Sequence, residues 1–85
     1  MKLLATKPFD KDFEELPTRI KTLALKKFNI LLQNPRHPSL RIKKMEDPRD
    51  IWEGSITKSY RFTFQIEGDT YRLRRIGTHE ILKTP

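Results

Sequence analysis

Three residues in the second half of this sequence are of types that could move protons or hold an anion. Glu53 lies in "IWEGSIT", Arg61 in "YRF" and His79 in the closing stretch "RRIGTHEILKTP". An imidazole or a carboxylate can accept a proton and return it, and a guanidinium binds phosphate through paired hydrogen bonds. By type alone, however, a lone histidine is more often a surface group. Whether these residues do chemistry depends on whether the fold brings them together.

The charge balance narrows the choice of partner. The 85 residues include 18 Lys+Arg and 11 Asp+Glu, so the formal net charge is +7. A positive field of this size on a small protein favours nucleic acid or an acidic protein partner over a neutral metabolite. The alternative is that the charge serves solubility alone.

Several classes of protein are excluded or disfavoured by composition. There is no cysteine, which excludes a disulfide framework and a thiolate metal site. No apolar run approaches the roughly 20 residues needed to span a membrane, and the opening residues do not resemble a signal peptide. We therefore expect a single soluble, cytoplasmic domain over residues 1–85, with no metal, no cofactor and no membrane partner.

Apolar spacing predicts a short strand followed by two helices. Residues 2–6 are predicted to form the strand, which Pro8 ends because proline offers no backbone donor. Apolar residues then recur at spacings of three, four and seven, as in an amphipathic helix. Pro17 interrupts that stripe and suits the first turn of a second helix. We predict a helical hairpin over roughly residues 8–15 and 17–33, ending at "NP".

The residue pattern in the remainder of the chain predicts a meander of antiparallel strands. Apolar and polar residues alternate in "YRFTFQI" and "TYRLRRI", and "EGD" between them is a hairpin turn signal. Strands are predicted near residues 40–45, 51–57, 60–66 and 70–76. The order of elements predicts an α+β fold, with an N-terminal strand and a helical hairpin packed on a small twisted antiparallel β-sheet.

The outward side of this predicted sheet is polar and cationic. It is expected to carry Arg61, Thr63, Gln65, Arg72 and Arg74. We expect either an open functional face or the ordinary solvated side of a half-buried sheet.

Three segments occur in an order that matches a known family. They are "HPSLRIKK", "YRFTFQIEGD" and "RRIGTHEIL", and they follow a short strand and a helical hairpin that ends at "NP". This arrangement resembles the RelE/ParE superfamily of type II toxin–antitoxin toxins, and in particular its RelE/YafQ-like branch. The resemblance covers nearly the whole chain and implies a RelE-like fold and a toxin that a cognate antitoxin keeps silent.

The resemblance also implies an activity. In the RelE-like and YafQ-like branches it implies a ribosome-dependent mRNA endonuclease that needs no metal, with the ribosome and mRNA as partners. In the ParE branch a similar fold acts on DNA gyrase, so a non-nuclease toxin is the alternative. A catalytically weak RNA-binding homologue is the third hypothesis.

Roles for Arg61 and His79 follow from the same resemblance, whereas the other candidates below rest on residue type and charge. Arg61 matches the arginine that contacts the scissile phosphate, and His79 matches a position held by histidine or arginine in active members. Glu53 is a candidate base, and Gly77 is expected to let the backbone turn and aim the histidine. The candidate RNA or phosphate contacts are Arg74, Arg72, Lys43, Lys44 and Lys58.

Two features depart from the family pattern. The segment "IWEGSITK" carries Trp52, Gly54 and Ser55 where strong enzymes carry basic or histidine residues. No aromatic residue follows His79 to stack on a base. These departures leave three alternatives. Arg61 and His79 form a minimal catalytic pair, or the protein has weak or no nuclease activity, or it acts on another target. Trp52 is expected to pack in the sheet, with base stacking as the alternative.

Overall fold

Two helices lie on one side of a five-stranded sheet in the computed structural model, which describes residues 1–85. Two short 3₁₀ helices complete the fold. The strands and α-helices are β1 (Lys2–Ala5), α1 (Lys7–Glu14), α2 (Thr18–Gln33), β2 (Lys43–Lys44), β3 (Trp52–Ser55), β4 (Tyr60–Glu67) and β5 (Thr70–Thr78), and the 3₁₀ helices are Pro38–Leu40 and His79–Lys83.

Local sequence signals set the ends of both helices, and those at Pro17 and Asn34 were predicted. The Thr6 hydroxyl caps α1 by accepting a hydrogen bond from the Phe9 backbone N–H at 3.4 Å. Pro17 precedes α2, and the helix stops before Asn34, which itself precedes a proline. Neither helix combines the length and the apolar character that crossing a membrane requires.

The sheet has the strand order β1-β5-β4-β3-β2 and is mixed. β1 pairs parallel to β5, whereas the other neighbours pair antiparallel, so the predicted antiparallel sheet is mixed. The predicted strand at 40–45 shrinks to two residues, because a 3₁₀ helix occupies Pro38–Leu40 and Arg41 adopts a left-handed conformation. The predicted α+β class and layering are confirmed.

A chain of aromatic rings joins the helices to the sheet. Phe28 of α2 meets Phe62 of β4 edge to face, with ring centroids 5.1 Å apart. Phe62 stacks on Phe64 at 5.6 Å, and Phe64 meets Tyr71 of β5 edge to face at 5.6 Å. Trp52 packs against the rim of the same core, as expected of a sheet-packing residue. These contacts pack β3, β4 and β5 together under α2.

The opposite face of the sheet is not the open surface that alternation predicts. Thr63 is 0% exposed there, and its hydroxyl donates a hydrogen bond to the Pro85 carbonyl at 3.2 Å. The 3₁₀ helix His79–Lys83 and the residues after it fold back over β4 and β5. Alternation along a strand separates the two faces but does not report a later segment that covers one of them.

Gly54 provides the space that the central aromatic ring occupies. It pairs with Phe62 across β3 and β4, and a β-carbon at Gly54 would lie 2.5 Å from Cε1 of that ring. We expect Gly54→Ala to lower the free energy of unfolding by about 1–3 kcal/mol, since the ring must leave its rotamer or the strands must separate. Urea unfolding measures this loss. Gly68→Ala is not a suitable control because Gly68 has a positive φ, and Ser59→Ala in the exposed β3–β4 turn serves instead.

An unchanged midpoint for Gly54→Ala would contradict this packing. Restoration of stability by adding Phe62→Leu to Gly54→Ala would support it, because the smaller side chain removes the clash.

Candidate functional site

The strand register places three polar side chains side by side. Ser55 pairs with Arg61, and Glu53 pairs with Thr63, across β3 and β4. Side chains alternate along a strand, so Glu53, Ser55 and Arg61 lie on the face turned away from the helices. Trp52 and Gly54 face the helices. Of the three residues that depart from the family pattern, only Ser55 therefore lies on the side of Arg61.

Arg61 and His79 meet at one backbone oxygen. The Lys58 carbonyl accepts a hydrogen bond from Nη2 of Arg61 at 3.2 Å, and Nε2 of His79 lies 3.1 Å from the same oxygen. Two side chains 18 positions apart in sequence thus converge on a single acceptor. Arg61 lies at the start of β4, and His79 begins the 3₁₀ helix that follows β5.

This contact fixes the proton arrangement of His79. A carbonyl oxygen only accepts hydrogen bonds, so the bond at 3.1 Å requires a proton on Nε2. In the neutral ring Nδ1 is then left as an acceptor, and in the charged ring it becomes a second donor. His79 is exposed, so solvent and ligands reach the ring.

Two of the three guanidinium nitrogens of Arg61 donate hydrogen bonds within the protein, and the third does not. Its Nη1 donates to the Ser55 hydroxyl, and its Nη2 donates to the Lys58 carbonyl. Its Nε is buried and has no hydrogen-bond partner. A buried N–H without an acceptor is costly, so Nε is an unsatisfied donor at the centre of the site.

Arg61 and His79 line a cleft of about 360 Å³. We call it the first cleft, and its walls are Arg41, Lys43, Glu53, Arg61, His79 and Leu82. Glu53 is 7% exposed and lies 3.3 Å from the ammonium of Lys43. Three permanent cations surround one carboxylate, so the first cleft is electropositive and has room for a phosphate group.

Gly77 lies where the segment that carries His79 packs against β5. A β-carbon at this position would lie 3.0 Å from Cγ2 of Ile81, which packs there as the chain folds back. Its φ is not positive, so the expected turn at Gly77 is wrong. The glycine allows close approach between β5 and the 3₁₀ helix, rather than supplying backbone freedom.

An ion pair ties the same segment to α1. Arg75 donates to Asp12 at 2.6 Å and 3.3 Å, and it also donates to the Thr84 carbonyl at 3.0 Å. Asp12 accepts a further bond from the Ile76 backbone N–H at 3.2 Å. The hydrogen bonds to Asp12 raise the pKa of Arg75. Residues on both sides of His79 are thereby anchored to the helical layer.

We expect Asp12→Ala to destabilise the fold by about 1.5–3 kcal/mol, because charge-assisted hydrogen bonds to a partly buried arginine are lost. Urea unfolding measures this change. Glu14→Ala, an exposed residue on the same helix, is the matched control and should shift stability by about 0.5 kcal/mol or less. A loss for Asp12→Ala no larger than that of the control would contradict the anchoring role.

The remaining predicted contacts lie outside the first cleft. Arg74 donates to the Pro85 carbonyl and to the Gln65 side chain, at 3.1 Å each. Burial lowers the pKa of Arg74, and nearby Arg49 and Arg72 lower it further. Arg72 lies 3.7 Å from Glu67, and Lys44 pairs with Asp50 at 2.9 Å. Lys58 contributes its backbone oxygen to the meeting point of Arg61 and His79.

Sequence reasoning missed two residues that shape the site. Arg41 lines the first cleft from the segment after the short 3₁₀ helix, and Ser55 holds the guanidinium of Arg61. The signal for Ser55 was present in the alternation of "IWEGSIT", where it shares a side with Glu53. Nothing in the local sequence marks Arg41. No group of three or more His, Cys, Asp or Glu side chains is arranged to hold a metal ion.

The architecture matches solved toxins. YafQ from E. coli strain BL21(DE3) superimposes with a TM-score of 0.78 at 15% identity, covering 94% of each chain. A metal-bound toxin from Helicobacter pylori gives a TM-score of 0.77 at 22% identity, covering 96% of this chain and 98% of its own. A chain of the archaeal RelE–RelB complex from Pyrococcus horikoshii OT3 gives 0.74 at 16% identity, covering 91% and 92%.

The chain therefore has the RelE/ParE-type toxin fold, as the sequence resemblance implied. No protein-family model matches the sequence, and no curated protein does. The similarity is one of architecture.

Proposed function

We propose that this protein is the toxin of a type II toxin–antitoxin pair and that it cleaves mRNA on the ribosome. The observation that carries the proposal is the convergence of Arg61 and His79 on the Lys58 carbonyl oxygen, beside an electropositive cleft that both side chains line. The shared fold with YafQ and RelE adds support. The net charge of +7 suits a phosphate-rich target.

The proposed reaction uses the RNA's own 2′-hydroxyl as nucleophile. The 2′-oxygen forms a bond to the adjacent phosphorus while the bond from phosphorus to the 5′-oxygen breaks. The products are a 2′,3′-cyclic phosphate and a 5′-hydroxyl. A base must take the proton from the 2′-hydroxyl, and an acid must give one to the departing oxygen. Cations stabilise the charge that builds on the phosphate in between.

Side chains of the first cleft supply each of these roles. Arg61 holds the scissile phosphate through the N–H groups of its guanidinium that are not donated to Ser55. His79 in its charged form protonates the departing 5′-oxygen. Glu53 is the candidate base, and Lys43, whose ammonium lies 3.3 Å from the Glu53 carboxylate, adds positive charge. Bound RNA would replace the Lys58 carbonyl as the partner of Arg61 and His79.

A cognate antitoxin is the second proposed partner. The DinJ–YafQ and RelE–RelB complexes share this fold in their toxin subunits. A protein with this net charge would bind an acidic or amphipathic segment that covers its cationic surface.

Induced expression followed by primer extension on a reporter mRNA tests the activity. The expected result is growth arrest with discrete cuts inside translated codons, relieved by co-expression of the antitoxin. Growth arrest with intact mRNA and blocked DNA replication would instead favour a gyrase inhibitor of the same fold. RNA binding without arrest would favour the weak homologue.

A further inference from the structure

A second cleft adjoins the first, and Arg41 lines both. Its volume is about 430 Å³, larger than that of the first cleft. Ser55, whose hydroxyl holds Arg61, also lines it. The two clefts are therefore neighbours along one surface rather than separate features.

Three cations and no carboxylate line the second cleft. The cations are Lys27, Arg41 and Lys58, and none of them forms an ion pair. Lys27 donates only to the Ser39 carbonyl, at 3.3 Å. In the first cleft, by contrast, Glu53 offsets part of the charge. Uncompensated cations around a concave surface attract an anion.

Two hydroxyl groups in this cleft retain a hydrogen to donate. The Ser55 oxygen accepts from Arg61, and the Thr57 oxygen accepts from the Ser59 and Tyr60 backbone N–H groups at 3.2 Å each. Neither hydroxyl donates to any group in the protein. Each can therefore donate to an anion in the second cleft while its oxygen stays fixed in place.

The backbone holds Arg41 in an unusual conformation. Its φ is 46° and its ψ is 47°, which lie in the left-handed region that residues other than glycine rarely adopt. The neighbouring Leu40 is 0% exposed, which anchors the segment against the core. A strained residue held by packing is typical of positions where the direction of a side chain matters.

We propose that the second cleft binds a backbone phosphate of the same RNA strand, next to the phosphate held by Arg61 and His79. This inference rests on the proposed function. The lining contains no aromatic side chain to stack on a base, so contact is to the phosphate and is independent of sequence. Arg41 lies between the two phosphates and contacts both.

Binding of a 2′-O-methyl uridine tetranucleotide, which cannot be cleaved by 2′-oxygen attack, tests this site without a ribosome. Amide shifts in an NMR titration are expected at Ser39, Ser55 and Thr57 as well as in the first cleft. The variant Arg41→Asn/Lys58→Gln should lose the shifts at Ser39 and Thr57. Asparagine removes the charge and tolerates the left-handed conformation.

The salt dependence of the affinity gives a second readout. Loss of one phosphate contact should reduce the slope of log K against log salt by about 0.7. The control Arg19→Gln/Lys26→Gln removes the same charge from exposed positions of α2 and should leave the amide shifts in place. Shifts confined to the first cleft, absence of binding, or an unchanged slope in Arg41→Asn/Lys58→Gln would overturn the inference.

The two proposals fail separately. Bound tetranucleotide at the second cleft without mRNA cleavage would overturn the nuclease and retain the phosphate site. Cleavage with binding confined to the first cleft would support the nuclease and overturn the phosphate site in the second cleft.

Discussion

Replacing His79 by glutamine is expected to slow mRNA cleavage by about 10²–10⁴-fold, the usual loss when a general acid is removed. Glutamine can still donate to the Lys58 carbonyl, but it cannot deliver a proton to the departing 5′-oxygen. Arg61→Gln is expected to lower the rate by about 10²–10³-fold, because one charged donor to the phosphate is lost. Both rates are measured as the appearance of cut mRNA on purified translating ribosomes.

The chain offers a matched control for each residue. His37 is the only other histidine, and it lies exposed in the loop after α2, where its Nδ1 accepts from the Ser39 backbone N–H at 3.2 Å. His37→Asn keeps an acceptor and should cleave at the wild-type rate. Arg19→Gln removes an exposed arginine from α2 and should do the same. Full activity in His79→Gln or Arg61→Gln would show that the assigned residues are wrong.

The second large effect is expected in the core. Phe62→Ala should lower the free energy of unfolding by about 3–5 kcal/mol. The ring is 0% exposed and contacts both Phe28 and Phe64, so truncation opens a cavity between α2 and the sheet. Urea unfolding followed by circular dichroism measures the loss. A small domain has little stability in reserve, so this variant should be largely unfolded at 37 °C.

Ile66 provides the comparison on the same strand. It shares the parity of Phe62 but is 48% exposed at the far end of β4. Ile66→Ala is expected to cost about 1 kcal/mol or less. Similar losses for Phe62→Ala and Ile66→Ala would contradict the aromatic packing described for β4.

Much of the fold was predictable because local signals agree with the tertiary structure. Pro17 and "NP" delimit α2, and alternation in "YRFTFQI" and "TYRLRRI" identifies β4 and β5. Those strands also carry the segments on which the family resemblance rests. Arg61 and His79 were identified from that resemblance, and the structure places them together.

What was not predictable depends on contacts distant in sequence. The parallel pairing of β1 with β5 joins the two ends of the chain, and no local pattern reports it. The residues after β5 cover Thr63, and no local pattern reports that contact either. Arg41 lines the first cleft from a left-handed backbone position directly after the buried Leu40. Such positions are set by packing rather than by propensity.

The central claim is that Arg61 and His79 act on the same phosphodiester. A double-mutant cycle tests it most directly, with cleavage rates on translating ribosomes for the wild type, Arg61→Gln, His79→Gln and the double variant. Residues that act as a unit are strongly non-additive. The double variant should therefore cleave about as slowly as the slower single variant. A double variant slowed by the full product of the two single effects would show that the two residues act independently.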